Sequence, residues 1–195
     1  RLASTSTGSA QRTECPMPEQ AEVGRHKRIY IVVGETSGDI LGADLVESLR
    51  TISPGIECMG LAGPRMQALG IKSLFDIEDI SVMGFAAVFA RLPTILARIS
   101  ATARDIIEKR PDAVVLIDSP DFTHRVASKV RAKLPGTPIV KYICPSVWAW
   151  RPSRARTMAR YFDHVLAILP FEPRLLEELG GPPASYIGHP MARRM

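Results

Sequence analysis

No run of eighteen apolar residues occurs in the 195-residue chain, so no membrane-spanning helix is expected. Cysteine is scarce: Cys15, Cys58 and Cys144 are odd in number and widely spaced. They suggest no disulfide framework, and a reducing cytoplasm fits best. The four histidines, His26, His124, His164 and His189, are dispersed, and no two have metal-ligand spacing. G-x-S-x-G is missing, which leaves a hydrolase nucleophile unsupported. G-x-G-x-x-G and G-x-x-x-x-G-K-[ST] are missing too, which disfavours a standard dinucleotide or P-loop site. Residues 1–27 lack the apolar core of a secretory signal and run through Ser4, Thr5, Ser6, Thr7, Gly8 and Ser9. They read as a disordered or appended leader.

What is present is ordinary for a soluble globular protein: 46% hydrophobic and 23% charged residues. A net charge of +5 suits polyanions such as nucleic acid, an anionic membrane surface or phosphorylated substrates, or serves solubility alone. From residue 28 onward, apolar strand runs alternate with amphipathic helices. Ile29–Val33, Ile56–Leu61, Lys72–Phe75, Ala113–Ile117, Pro138–Cys144, His164–Leu169 and a run beginning at Ser185 read as strands. Asp39–Arg50, Phe85–Lys109, Phe122–Leu134, Arg154–Tyr161 and Glu172–Leu179 read as helices, the second either continuous or broken at Pro93 and the first with Asp39 as N-cap or first-turn acid. This alternation predicts an α/β, doubly wound, mainly parallel sheet. Such sheets bind ligands at the carboxyl ends of their strands.

Four segments fall at those ends or close by. Gly34-Glu35-Thr36-Ser37-Gly38-Asp39 follows the first strand and reads either as a sugar-binding turn or as a tight turn with a capping acid. Asp118-Ser119-Pro120-Asp121-Phe122 follows the most continuous strand; its acids read as a cap and a general base, or as two turn formers. Ser81-Val82-Met83-Gly84-Phe85 is small and apolar, suited to a greasy ligand or to core. Pro145-Ser146-Val147-Trp148-Ala149-Trp150-Arg151 carries both tryptophans, as a site rim or as core, and precedes a basic series, Arg154, Arg156 and Arg160, that suits phosphates or a solvated helix face.

Together these segments resemble the lipid-A-disaccharide synthase family of glycosyltransferases. Leu61-x-Gly63-Pro64-x-Met66, Leu74-Phe75, Leu169-Pro170-Phe171-Glu172 and Gly188-His189-Pro190 extend the match in the family's order, over residues 28 to 192. The resemblance implies the N-terminal, Rossmann-like acceptor domain of a GT-B glycosyltransferase at 28–190, with 191–195 starting a link to a donor domain, and a chain inactive alone. It implies an inverting, metal-independent transfer without cofactor, joining UDP-2,3-diacylglucosamine to 2,3-diacylglucosamine 1-phosphate with release of UDP. It also implies the cytoplasmic face of the anionic inner membrane, peripherally bound, no nucleic-acid partner, and room for a homodimer.

By position, the resemblance makes Asp121 the general base and assigns substrate contacts to Glu35, Ser37, Met83, Phe122, Ser146, Trp148, Trp150 and Arg151. Asp112, Asp118, Gly34 and Gly38 take supporting roles, that of Asp112 indirect. Thr36, Ser119, Thr123 and Cys144 depart from the family's usual Ala, Ala, Asn and Ser, which puts a substrate contact by Thr123 in doubt. Another GT-B nucleotide-sugar enzyme and a non-catalytic Rossmann-like binding module are the alternatives.

Overall fold

The computed structural model describes residues 26–81, 85–147, 149 and 151–189, and side chains in 85–90 are not included. Met83, Trp148, Trp150, most of the leader and residues 191–195 lie outside the described residues.

Six parallel strands form one sheet in the order β2-β1-β3-β4-β5-β6. They are β1 (Arg28–Val33), β2 (Glu57–Leu61), β3 (Ala113–Ile117), β4 (Ile139–Tyr142), β5 (His164–Ala167) and β6 (Ala184–Tyr186). The helices are α1 (Thr36–Ile52), α2 (Pro64–Ala68), α3 (Phe85–Lys109), α4 (Pro120–Lys133), α5 (Ser153–Met158) and α6 (Glu172–Glu178). Strand order reverses between β1 and β3, which opens a crevice at their carboxyl ends. These two strands read as unbroken apolar runs because both faces are covered: Tyr30–Val33 and Val114–Ile117 are buried.

The expected strand at Lys72–Phe75 is not a strand of the sheet. Ser73 makes one parallel bridge to Gly60 on the outer side of β2. The Ser73 hydroxyl accepts from the Ala62 N–H (3.0 Å) and donates to the Phe75 carbonyl (2.6 Å). Side-chain bonding thus takes over the backbone groups that a ladder would use.

Of the two courses open at Pro93, α3 takes the continuous one and runs for 25 residues with Pro93 inside it. An interior proline costs a helix roughly 3 kcal/mol. Downstream, Ile99, Thr102, Ala103 and Ile106 form a fully buried stripe, and that burial offsets the lost backbone bond. One polar anchor helps: the Tyr30 hydroxyl donates to Asp105 Oδ2 (2.5 Å), tying β1 to α3.

Asp39 takes the second of its two expected roles. Helix α1 starts at Thr36, and Asp39 sits in its first turn but does not cap it. The buried carboxylate instead accepts from the N–H groups of Arg65 (2.8 Å) and Met66 (3.1 Å), capping α2. Gly63 permits this approach, because a Cβ there would run into the Asp39 carboxyl group. Asp39→Ala should therefore cost about 2–3 kcal/mol, by leaving two N–H groups without their acceptor. Urea unfolding measures this; a loss below about 0.5 kcal/mol would contradict the capping role.

Candidate active site at the carboxyl ends of β1 and β3

Val33 and Ile117 end their strands in register, so the turns that follow face each other. Ser119 Oγ donates to Glu35 Oε1 (3.0 Å), and Ser37 Oγ donates to Asp118 Oδ2 (3.3 Å). The turns touch because residue 34 is glycine; a Cβ there would overlap the Ser119 side chain.

The turn after β3 is strained. Asp118 and Ser119 both adopt left-handed backbone, with φ of 49° and 38°. Non-glycine residues held there cost of order 1–3 kcal/mol each and persist only where the surroundings enforce them. Thr123 supplies one restraint: its hydroxyl bonds back to the carbonyls of Asp118 (2.9 Å) and Ser119 (3.0 Å). It is fully buried, so the departure from Asn at this position falls on the turn's support and not on the cleft surface. Lys141 supplies the other restraint. From β4 its Nζ donates to the Asp118 carbonyl and to Thr123 Oγ1 (2.9 Å).

Lys141 is 1% exposed. Burial pushes its ammonium down to about 7, against the attraction of Asp118, Cys144 and Glu35. Sequence reasoning passed over this residue. The available signal was a lysine inside the otherwise apolar β4 run, paired in register with Leu116 and Val165.

In front of these turns lies a cleft of about 420 Å³. Its lining mixes polar side chains, Glu35, Ser119, Asp121 and Arg125, with apolar ones that include Leu92, Ile95 and Phe122. Asp121 stands at the rim with its side chain 88% exposed, and its Oδ1 accepts from Arg154 (3.1 Å). Such an exposed pair adds about 0–1 kcal/mol to stability, so it orients the carboxylate more than it holds the fold. Among the described residues Oδ2 has no hydrogen-bond partner. A second pocket, about 170 Å³, opens between the ends of β3 and β4 and is lined by Asp118, Lys141, Cys144 and Ser146.

The structure thus gathers Gly34, Glu35, Asp121 and Phe122 around one cleft, with Asp118 and Ser146 in the adjoining pocket and Ser37 bonded to Asp118. Arg151 is exposed at the turn into α5, with a left-handed φ of 55°. Gly38 is buried in α1, and a Cβ there would meet only ordinary contacts. Asp112 lies at the far end of β3, where it accepts from the Arg28 N–H (2.8 Å). A five-residue strand puts it roughly 17 Å from the cleft, which confines it to an indirect part. His124 is buried, with Nδ1 3.1 Å from the Tyr161 hydroxyl. Burial and the cations Lys141 and Arg154 push it down to about 3, so it stays neutral near pH 7. No group of three His, Cys, Asp or Glu side chains gathers as a metal site among the described residues.

Residues 29–195 match the family model described as lipid-A-disaccharide synthetase. The chain belongs to this family. It is 51% identical over 180 residues to a lipid-A-disaccharide synthase of Nitrobacter hamburgensis, covering 92% of this chain and 46% of that protein. A Bradyrhizobium diazoefficiens lipid-A-disaccharide synthase is also 51% identical, over 87% of this chain and 43% of its own length. The chain therefore spans about half the length of the curated relatives it matches. Two solved structures share the fold. One is a lipopolysaccharide outer core galactosyltransferase in its apo form (TM-score 0.53, 18% identity, covering 84% of this chain and 46% of that one). The other is a Neisseria meningitidis UDP-GlcNAc 2-epimerase (TM-score 0.55, 13% identity, covering 80% and 43%). The Rossmann-like, GT-B type of domain expected from the sequence is the one observed.

Two outcomes follow for this lipid-A-disaccharide synthetase domain. Gly34→Ala should destabilise it by about 1–3 kcal/mol through overlap with Ser119. Adding Ser119→Gly should recover at least half, since glycine removes both the obstacle and the φ strain; no recovery in a double-mutant unfolding cycle would contradict the contact. Separately, Lys141 titrates near 7 when folded and near 10.5 when unfolded. The unfolded chain then holds more protons between those values, so stability rises with pH. Above pH 9 the Cys144 thiol, pushed up to about 12 by burial, works the other way. Between pH 7 and 9 the slope should reach about 1.4 kcal/mol per pH unit. Lys141→Met should abolish it in chemical unfolding at several pH values; an unchanged slope would contradict the shifted titration.

Proposed function

We propose that this domain is the acceptor side of a glycosyltransferase that joins UDP-2,3-diacylglucosamine to 2,3-diacylglucosamine 1-phosphate, forming a β-1,6 disaccharide and releasing UDP. The observation that carries the proposal is Asp121: a carboxylate on the first turn of α4, with one oxygen on Arg154 and the other without a described partner, at the rim of a cleft lined by both polar and apolar side chains. A sugar hydroxyl is a poor nucleophile until its proton is taken. In this reading Asp121 Oδ2 accepts the acceptor's 6-hydroxyl proton as that oxygen attacks the donor's anomeric carbon and the bond to UDP breaks with inversion. Positioned general-base catalysis contributes typically 10²–10⁴-fold. The substrate itself, on filling the cleft, takes the exposed carboxylate out of water.

In this reading Glu35 and Ser37 meet sugar hydroxyls, with Asp118 supporting Ser37 through its hydrogen bond, while Leu92, Ile95 and Phe122 offer a surface to acyl chains. Trp148, Trp150, Met83 and Arg151 complete the rim in this reading, with Ser146 below. We assign the domain to an anionic membrane surface at the cytoplasmic face, bound peripherally. No described helix is long and apolar enough to cross a membrane, and exposed Leu92 and Leu96 on α3, together with the net charge of +5, suit salt-sensitive surface binding. No metal and no cofactor enters the scheme.

Asp121→Asn, in a protein of the relatives' full length bearing this sequence, should lower turnover at least a hundredfold with acceptor KM changed little. Turnover within threefold of the parent would remove Asp121 as the base.

A further inference from the structure

We propose that Lys141 is a positioning residue of this site: from beneath the sheet's carboxyl edge it grips the Asp118 carbonyl and the Thr123 hydroxyl, and so fixes the strained turn that aims Asp121 and Ser119 at the cleft. The inference rests on the functional reading above and adds a residue to it.

Three observations carry it. First, position 141 is a costly place for an ammonium. It lies mid-strand in β4 between Leu116 and Val165, completely buried, where an apolar side chain would fill the same space without desolvating a charge. Second, both of its hydrogen bonds land on one feature, the β3–α4 turn. Neither goes to β5, α5 or a surface group. Third, that turn is the part of the site least able to hold itself, with two consecutive left-handed non-glycine residues.

The bonds form a closed set. Lys141 donates to the Asp118 carbonyl and to Thr123 Oγ1. The Thr123 hydroxyl shares its proton between the carbonyls of Asp118 and Ser119. Ser119 in turn donates to Glu35 across the mouth of the cleft, and Asp121 follows two residues later in the first turn of α4. If the turn relaxes towards ordinary backbone, the α4 N-terminus and Asp121 shift with it. A displacement of about 1 Å at the reacting groups is enough to cost on the order of 10²-fold in rate. The effect of Lys141 therefore passes through the turn and the two groups it aims, Asp121 and Ser119.

The test uses a protein of the relatives' full length bearing this sequence, with the two lipid substrates in mixed micelles. Four variants are compared by kcat, acceptor KM and melting temperature: Lys141→Met, Lys141→Gln, Thr123→Val and Asp121→Asn. Lys141→Met, similar in length but without a donor, should lower kcat about 10- to 100-fold while KM stays within threefold. Lys141→Gln keeps a donor within reach of the turn and should recover at least a third of the lost log-rate. Thr123→Val removes one of the two anchors and should fall between Met and parent; it also serves if Lys141→Met does not fold. Parent-like kcat in folded Lys141→Met or in Thr123→Val would overturn the proposal. So would a loss that Lys141→Gln leaves unrelieved. A fully active Asp121→Asn beside an impaired Lys141→Met would remove the general base and leave the positioning role standing.

Discussion

Two adjacent residues, Asp118 and Ser119, hold backbone angles that neither side chain favours, and most of the site is arranged to keep them there. A buried ammonium and a buried hydroxyl hold the carbonyls of this turn from below. From above, the turn meets the Gly34–Glu35 corner at a separation that only glycine permits. Strain of this kind persists where the surroundings overdetermine it. Here the enforcing groups come from β4, α4 and the β1–α1 corner, so the sheet order itself decides whether the turn can exist. With β1 and β3 apart, the two corners would not meet.

The same economy links segments that are separate in sequence. Asp39, in the first glycine-containing segment, caps the helix begun by Gly63-Pro64-x-Met66. Glu172, buried at the start of α6, accepts from the Leu169 N–H (3.0 Å) and so closes its own Leu-Pro-Phe-Glu segment. Several segments shared with the lipid-A-disaccharide synthetase family are in this way fold-forming contacts. The chemistry is left to a shorter set around the cleft.

How much of this was legible in the sequence follows from how local each signal is. The central strands β1 and β3 were readable because both faces are covered and the run is apolar throughout. Their carboxyl-end turns were readable from sheet topology, which brought Glu35, Ser37, Asp118 and Asp121 into one place. The Ser73 bridge was not readable, and the course of α3 at Pro93 was readable only as two alternatives. In each, a tertiary partner outweighs a local preference: the Ser73 side chain stands in for a ladder, and a buried stripe carries the helix past its proline. Lys141 was passed over for the same reason. In a strand pattern a lysine reads as an outward residue, and only the neighbouring turn shows why it points inward. Asp112 shows the reverse, since its place before β3 sets it at the far end of the sheet.

In the proposed function, the cleft before β1 and β3 holds an acylated amino sugar with its 6-hydroxyl on Asp121. A crystal structure with 2,3-diacylglucosamine 1-phosphate bound puts this to the test. The 6-hydroxyl oxygen is expected about 2.6–3.2 Å from Asp121 Oδ2, with the acyl chains lying along Leu92 and Ile95. A sugar seated elsewhere, or one in this cleft with its 6-hydroxyl turned away from Asp121, would contradict it.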